Sequence, residues 1–191
     1  MHRRPLLEML SRYREQFPTE ANVVDRIRAL IERHADCFER TCRPGHITGS
    51  SWIFSADRRR CLLAHHRKLD CWLQLGGHAD GHAEVEQVAL REAREESGMQ
   101  GFDLVCIDGA LLPLDVDVHQ IPARWDDDGQ LIEDAHEHHD VRFLLMAHPG
   151  QELRLSAESH DLAWFALNEV PRQTDEESVL RMLRKALELL G

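Results

Sequence analysis

Between residues 76 and 99 the chain runs through a glycine-centred turn, Gly76-Gly77-His78-Ala79-Asp80-Gly81, and on into one amphipathic helix. The periodicity predicts that helix over residues 83–97, with Gly98 as its C′ stop. At 100° per residue, with Glu92 at zero, Val85 falls at about +20°, Val88 at about −40° and Ala89 at about +60°. The same stripe carries Glu95 at about −60° and Glu96 at about +40°. One face therefore begins apolar and ends in three carboxylates, with Arg91 and Arg94 off its centre. Carboxylates that continue an inward-facing stripe repel one another and lose hydration. A divalent cation reverses that cost, and oxygen-only ligands suit Mg²⁺ or Mn²⁺. The competing reading is a solvated, salt-bridged face, with Arg91 and Glu95 paired at i, i+4.

The helix sits among short β-type runs, at 47–55, 60–65 and 71–75 before it and at 102–107, 111–121, 141–147 and 162–166 after it. A second amphipathic helix is expected over 175–190, with Val179, Leu180, Met182, Leu183, Ala186, Leu187 and Leu190 available for burial. The polar, acidic stretch 124–139 reads as a loop. This alternation is that of an α/β domain. Residues 5–39 differ in texture. Leu6, Leu7, Leu10, Tyr13 and Phe17, then Val23, Val24, Ile27, Leu30, Ile31 and Phe38, follow helical spacing on either side of Pro18-Thr19-Glu20, where Thr19 is a candidate N-cap. A break at Cys42-Arg43-Pro44-Gly45 divides the chain into an N-terminal helical extension, 1–45, packed on a main domain, 46–191.

With 42 % hydrophobic and 30 % charged residues, the chain is expected to be a folded, soluble protein. No run approaches the roughly 18 apolar residues of a membrane span, and the basic start, Met1-His2-Arg3-Arg4-Pro5, leads into an amphipathic pattern unlike a secretory signal. The net charge of −11 argues against nucleic acid and anionic membranes as partners, so an anionic substrate would need local cations. Five Cys without a CxxC pair suggest free thiols in a reducing cytoplasm.

Gly77 followed by Arg91-Glu92-Ala93-Arg94-Glu95-Glu96-Ser97-Gly98-Met99 resembles the box of the Nudix hydrolase family, G-x5-E-x7-R-E-U-x-E-E-x-G-U, where U is aliphatic. Eight of the nine fixed positions match at the family spacing, and Ala83 stands where the first Glu belongs. With the strand order and the Trp164-Phe165 segment, the resemblance extends over about 46–190. It implies a Nudix-type α/β/α sandwich with a mixed β-sheet, and hydrolysis of a nucleoside diphosphate linked to another moiety by water attack on phosphorus. It also implies Mg²⁺ or Mn²⁺ held by Glu92, Glu95, Glu96 and the Gly77 carbonyl. Glu95 or Glu96 would serve as base, and Arg91 would orient a carboxylate of the cluster. The first Glu is a helper in the family, so Ala83 bears on rate.

Substrate contacts are expected from cations and histidines around this box. Arg67, in His65-His66-Arg67-Lys68, can grip phosphate in a bidentate way, and His78 adjoins Gly77. In a strand reading His136, His138, Asp140 and Arg142 share one face as a ligand-facing row, and Asp115, Asp117 and His119 share a face of the preceding strand. Each set reads equally as a solvated edge. Glu158 and Asp161 are alternative acids before Trp164. Trp72 and Trp164 read as core, and Trp125 as an exposed candidate for base stacking. Two other functions stay in play. One is a zinc or iron enzyme on His136-x-His138, which lacks the following Glu of a cupin-type strand. The other is a catalytically impaired Nudix-fold nucleotide-binding or regulatory protein. The apolar faces of the N-terminal helices could pack in cis or form a homodimer.

Overall fold

The computed structural model describes residues 2–156 and 159–190. Its elements are, in order, α1 (Arg4–Gln16), α2 (Ala21–Arg33), β1 (Gly45–Phe54), β2 (Arg60–His66), β3 (Cys71–Leu73), β4 (Leu75–His78), α3 (Val85–Ser97), β5 (Phe102–Leu104), β6 (Asp115–Ile121), β7 (Arg124–Trp125), β8 (Leu131–Glu133), β9 (His136–Ala147), β10 (Ser159–Ala166), α4 (Val170–Gln173) and α5 (Glu177–Leu190). A 3₁₀ turn, Pro18–Glu20, separates α1 from α2. No helix among the described residues is long and apolar enough to cross a membrane.

The main sheet runs β10-β2-β1-β9-β5, with β3 on β2, β4 on β1 and β6 on β9. It is mixed, because β1 and β9 pair in parallel while the other pairs are antiparallel. Side chains alternate between the two faces of a strand, and this sorts the core. Ile47, Val141, Phe143 and Val116 meet Val85, Val88 and Ala89 of α3, and also Leu10, Val24, Ile27 and Ile31 of the N-terminal helices. On the opposite face Trp52, Phe54, Leu63 and Leu144 meet Val179, Met182, Leu183 and Ala186 of α5. Helices thus cover both faces, and all ten residues of β1 are buried. An α/β/α sandwich with N-terminal helices is the expected architecture.

The N-terminal helices pack in cis on this sheet. At the β6 edge Lys185 of α5 donates to Asp115 at 2.8 Å and to the Tyr13 hydroxyl at 2.6 Å, and pairs with Glu20 at 2.6 Å. Burial pushes the Tyr13 hydroxyl pKa up, and the Asp115 charge pushes it further, so Tyr13 stays neutral.

Several boundaries differ from the sequence expectation. Helix α3 begins at Val85 rather than residue 83. The turn before it uses positive φ at Asp80 and Gly81, and Gly81 N–H binds back to the Phe38 carbonyl, so Ala83 and Glu84 close the turn. Gly98, at φ 71°, caps the other end as expected. Thr19 is not the N-cap of α2. Glu20 holds that position without a side-chain cap, because the chain enters through the 3₁₀ turn. The stretch 124–139 is not one loop, since it forms the β7–β8 hairpin and the first residues of β9. Strand β9 starts at His136 because β1 and β6 both supply partners there.

Ile27→Ala removes a fully buried side chain from α2 and is expected to cost about 2–5 kcal/mol in urea unfolding. A loss within experimental error would mean that the N-terminal helices do not share the folding unit of the sheet.

Candidate active site

Strand β4 lies antiparallel to β1, with Gly77 opposite Gly49 and His78 opposite Thr48. The alternation turns Gly77 toward α3 and His78 toward the other face. The missing side chain at Gly77 is a structural requirement. A Cβ there would lie 2.5 Å from the Glu92 carboxylate carbon and 2.5 Å from its Oε2. The Glu92 side chain is only 12 % exposed and pairs with Arg91 at 3.0 Å. Arg91 also donates to the His78 carbonyl at 2.8 Å and to Glu95 at 3.4 Å. One guanidinium therefore ties the β4 backbone to two carboxylates of α3. Glu96 accepts from the Gly76 N–H at 2.7 Å. The helix end and the strand are cross-linked on both sides of Gly77.

The trio is less compact than the stripe suggested. Glu92 is nearly enclosed and Glu96 half-buried, but Glu95 is 61 % exposed. Adjacent helical side chains diverge by about 100°, so Glu95 and Glu96 leave the helix in different directions. Repulsion is relieved in part by Arg91, which lies within ion-pair reach of both Glu92 and Glu95.

Arg67 stands in the exposed turn after β2. Trp125 is 59 % exposed, whereas Trp72 packs edge-on against Phe165 and Trp164 packs against the cluster of Ile53, Leu62 and Leu90. Asp161 is exposed on β10, and Glu158 lies outside the described residues.

Asp140 and Arg142 are buried away from solvent. Arg142 donates to Asp140 at 2.7 Å, Asp115 at 3.0 Å and Asp117 at 3.2 Å. Arg181 donates to Asp115 and Asp117 as well. Thr48 and Ser50 donate to Asp140 at 3.0 and 2.7 Å. Burial would raise the Asp115 and Asp117 pKa values, but the surrounding cations and hydrogen bonds hold both below the usual carboxylate range. Burial likewise opposes the Arg142 cation, and Asp140, Asp117 and Asp115 outweigh it. This row binds itself together and fixes the β1, β6 and β9 registers.

Beyond that network the same face carries His136, His138, His78, His119 and His46. Their rings are in contact, with the His46 centroid 4.9 Å from those of His136 and His138 and 5.1 Å from that of His78. His46 was not singled out from sequence. The signal was there in β1, where His46, Thr48 and Ser50 alternate as polar residues ahead of Trp52.

The NUDIX domain profile matches residues 46–186. The chain belongs to the NUDIX domain family. A NUDIX-family hydrolase from Clostridium perfringens is similar at 25 % identity over 76 % of this chain and 98 % of that one, with a TM-score of 0.57. A C. elegans Ap4A hydrolase binary complex is 18 % identical over 75 % of this chain and 96 % of that one, at a TM-score of 0.57. The dihydroneopterin triphosphate pyrophosphohydrolase of E. coli is 16 % identical over 75 % and 94 %, at a TM-score of 0.52. The last two likenesses show the fold. Comparison with curated proteins gave no match. The protein is a Nudix hydrolase, and its general activity is cleavage of pyrophosphate linkages.

Nudix hydrolases generally require a divalent metal, and the local chemistry suits one. Gly77 sets no side chain between β4 and the Glu92 carboxylate, and the acidic side chains at this end of α3 offer carboxylate oxygens.

Gly77→Ala is expected to push Glu92 from its place and lower turnover about 100-fold, the scale for a misplacement of roughly 1 Å, with an unchanged far-UV CD spectrum. An unaltered rate would show that the Glu92 position does not matter to the reaction.

Proposed function

We propose that this Nudix hydrolase cleaves the pyrophosphate of a nucleoside diphosphate derivative by attack of water on phosphorus, with Mg²⁺ or Mn²⁺ held by Glu92, Glu95, Glu96 and the Gly77 carbonyl. The observation that carries this reading is the seating of the Glu92 carboxylate against Gly77, with Arg91 bracing both sides. When bound, the cation neutralises phosphate oxygens and lowers the pKa of a bound water.

The protein groups divide the remaining work. Arg91 is a positioning residue, because its donors go to Glu92, Glu95 and the His78 carbonyl. Glu95, the most exposed of the three carboxylates, is assigned the proton of the attacking water, and its exposure supports that assignment. Glu96 keeps Gly76, and with it the strand end, against the helix. Arg67 is the exposed cation assigned to the substrate phosphates. His78 follows Gly77 in the chain but turns to the other face of β4, among the histidines there, and is not assigned to the phosphates. Asp140 and Arg142 support the sheet under this site rather than grip substrate, since their charges are matched internally. Ala83 packs against the apolar cluster under α3 and adds no carboxylate, so the proton and metal roles rest on the three glutamates.

Hydrolysis of a panel of nucleoside diphosphate derivatives, followed by phosphate release in Mg²⁺, tests the proposal. Turnover is expected to vanish in chelator and to fall by about 100-fold or more in Glu95→Gln. Activity that survives either treatment, or nucleotide binding with no turnover in the wild type, would overturn it.

A further inference from the structure

The histidines on the α5 face of the sheet are not used by the chemistry above. His46 on β1 stands opposite His138 on β9, and His138 stands opposite His119 on β6. His136 lies two residues before His138 on the same face, with its ring centroid 5.3 Å away. Among the described residues, His46, His136 and His138 bring ligand nitrogens within 4.8 Å of one another. His46 and His136 are 1–2 % exposed.

Their hydrogen bonding is incomplete. Both ring nitrogens of His46 and the Nε2 atoms of His136 and His138 are buried and have no hydrogen-bond partner. Buried polar atoms are almost always paired, so several orphans around one point call for a cause. The geometry also orients a lone pair. His136 Nδ1 lies 2.9 Å from the Asp134 carbonyl, which can only accept, so Nδ1 carries the hydrogen and Nε2 presents its lone pair to the cluster. A backbone carbonyl holding the second nitrogen is the usual support of a metal-bound imidazole. The Glu133 carboxylate, 3.9 Å from His136 Nε2, supplies a nearby negative charge.

We propose that His46, His136 and His138 form a second metal site, selective for a borderline transition ion of the Zn²⁺ class and separate from the carboxylate site on α3. Imidazole ligands favour such ions, whereas Mg²⁺ takes oxygen. Nitrogens already within 4.8 Å of one another need shifts of less than about 1 Å to reach the roughly 2.0–2.1 Å of a Zn–N bond. The ion would join β1 to β9. His78, whose ring lies 5.1 Å from that of His46 and 5.0 Å from that of His138, would couple this joint to the strand that bears Gly77.

The test is metal content and stability of the full chain, independent of hydrolysis. Protein stripped with chelator is exposed to Zn²⁺ or to Mg²⁺, passed through a desalting column and assayed for bound metal and Tm. One Zn²⁺ per chain is expected to be retained, with a higher Tm, whereas Mg²⁺ is expected to do neither. The same Zn²⁺ should be retained by Glu92→Gln/Glu95→Gln and lost in His46→Gln and in His138→Gln. Should the histidine variants fail to fold, X-ray absorption of the Zn²⁺-loaded wild type decides, with a first shell containing three imidazoles expected. Failure to retain Zn²⁺, retention that follows the glutamates, or a first shell of oxygens alone would overturn the proposal. Each of those results leaves the hydrolysis assay in Mg²⁺ to be judged by itself.

Discussion

A parallel ladder of ten residue pairs joins β1 to β9, from Gly45 opposite Glu137 to Phe54 opposite Met146. Alternation along these two strands decides the character of both faces. Odd positions such as Ile47, Val141 and Phe143 build the apolar floor on which α2 and α3 rest. Even positions run from histidine through serine, threonine and aspartate to Arg142, and then to Trp52 and Leu144 under α5. Register is consequential here, because a slip by one residue would bring Asp140 and Arg142 under α3 and expose the aliphatic floor.

The polar part of the even face stays stable because its charges are matched. Arg142, Arg181 and Lys185 meet Asp115, Asp117 and Asp140 across three elements. Desolvating six charged groups is costly, and the mutual attraction and side-chain hydrogen bonds offset it. The demanding geometry of such a network also restricts how β6, β9 and α5 can dock. In this way a row that resembles a binding edge in the sequence serves to hold the sheet, while at the end of α3 Glu92 is nearly enclosed and Glu95 is open to solvent.

Much of this was legible beforehand. The α3 pattern, the Gly98 stop and the strand runs depend on local periodicity, and the box residues 77–99 carry the family by spacing alone. What escaped the sequence depended on partners. Residues 136–140 look like a wet loop until β1 and β6 supply their hydrogen bonds. Arg142 reads as a ligand-facing cation until Asp115 is seen 27 positions away in the chain but 3.0 Å away in space. His46 drew no notice because its neighbours in the histidine cluster come from β4 and β9. Glu95 was expected to turn inward with Glu92, and its exposure follows from where α3 ends relative to β4, which no helical wheel contains.

The central claim is that the end of α3, closed against Gly77, is where the hydrolytic cation binds. Anomalous diffraction from a crystal of the protein soaked in Mn²⁺ tests this most directly. The account predicts a peak bounded by the Gly77 carbonyl and the carboxylates of Glu92, Glu95 and Glu96. Density for Mn²⁺ elsewhere on the molecule, with none at that position, would contradict it.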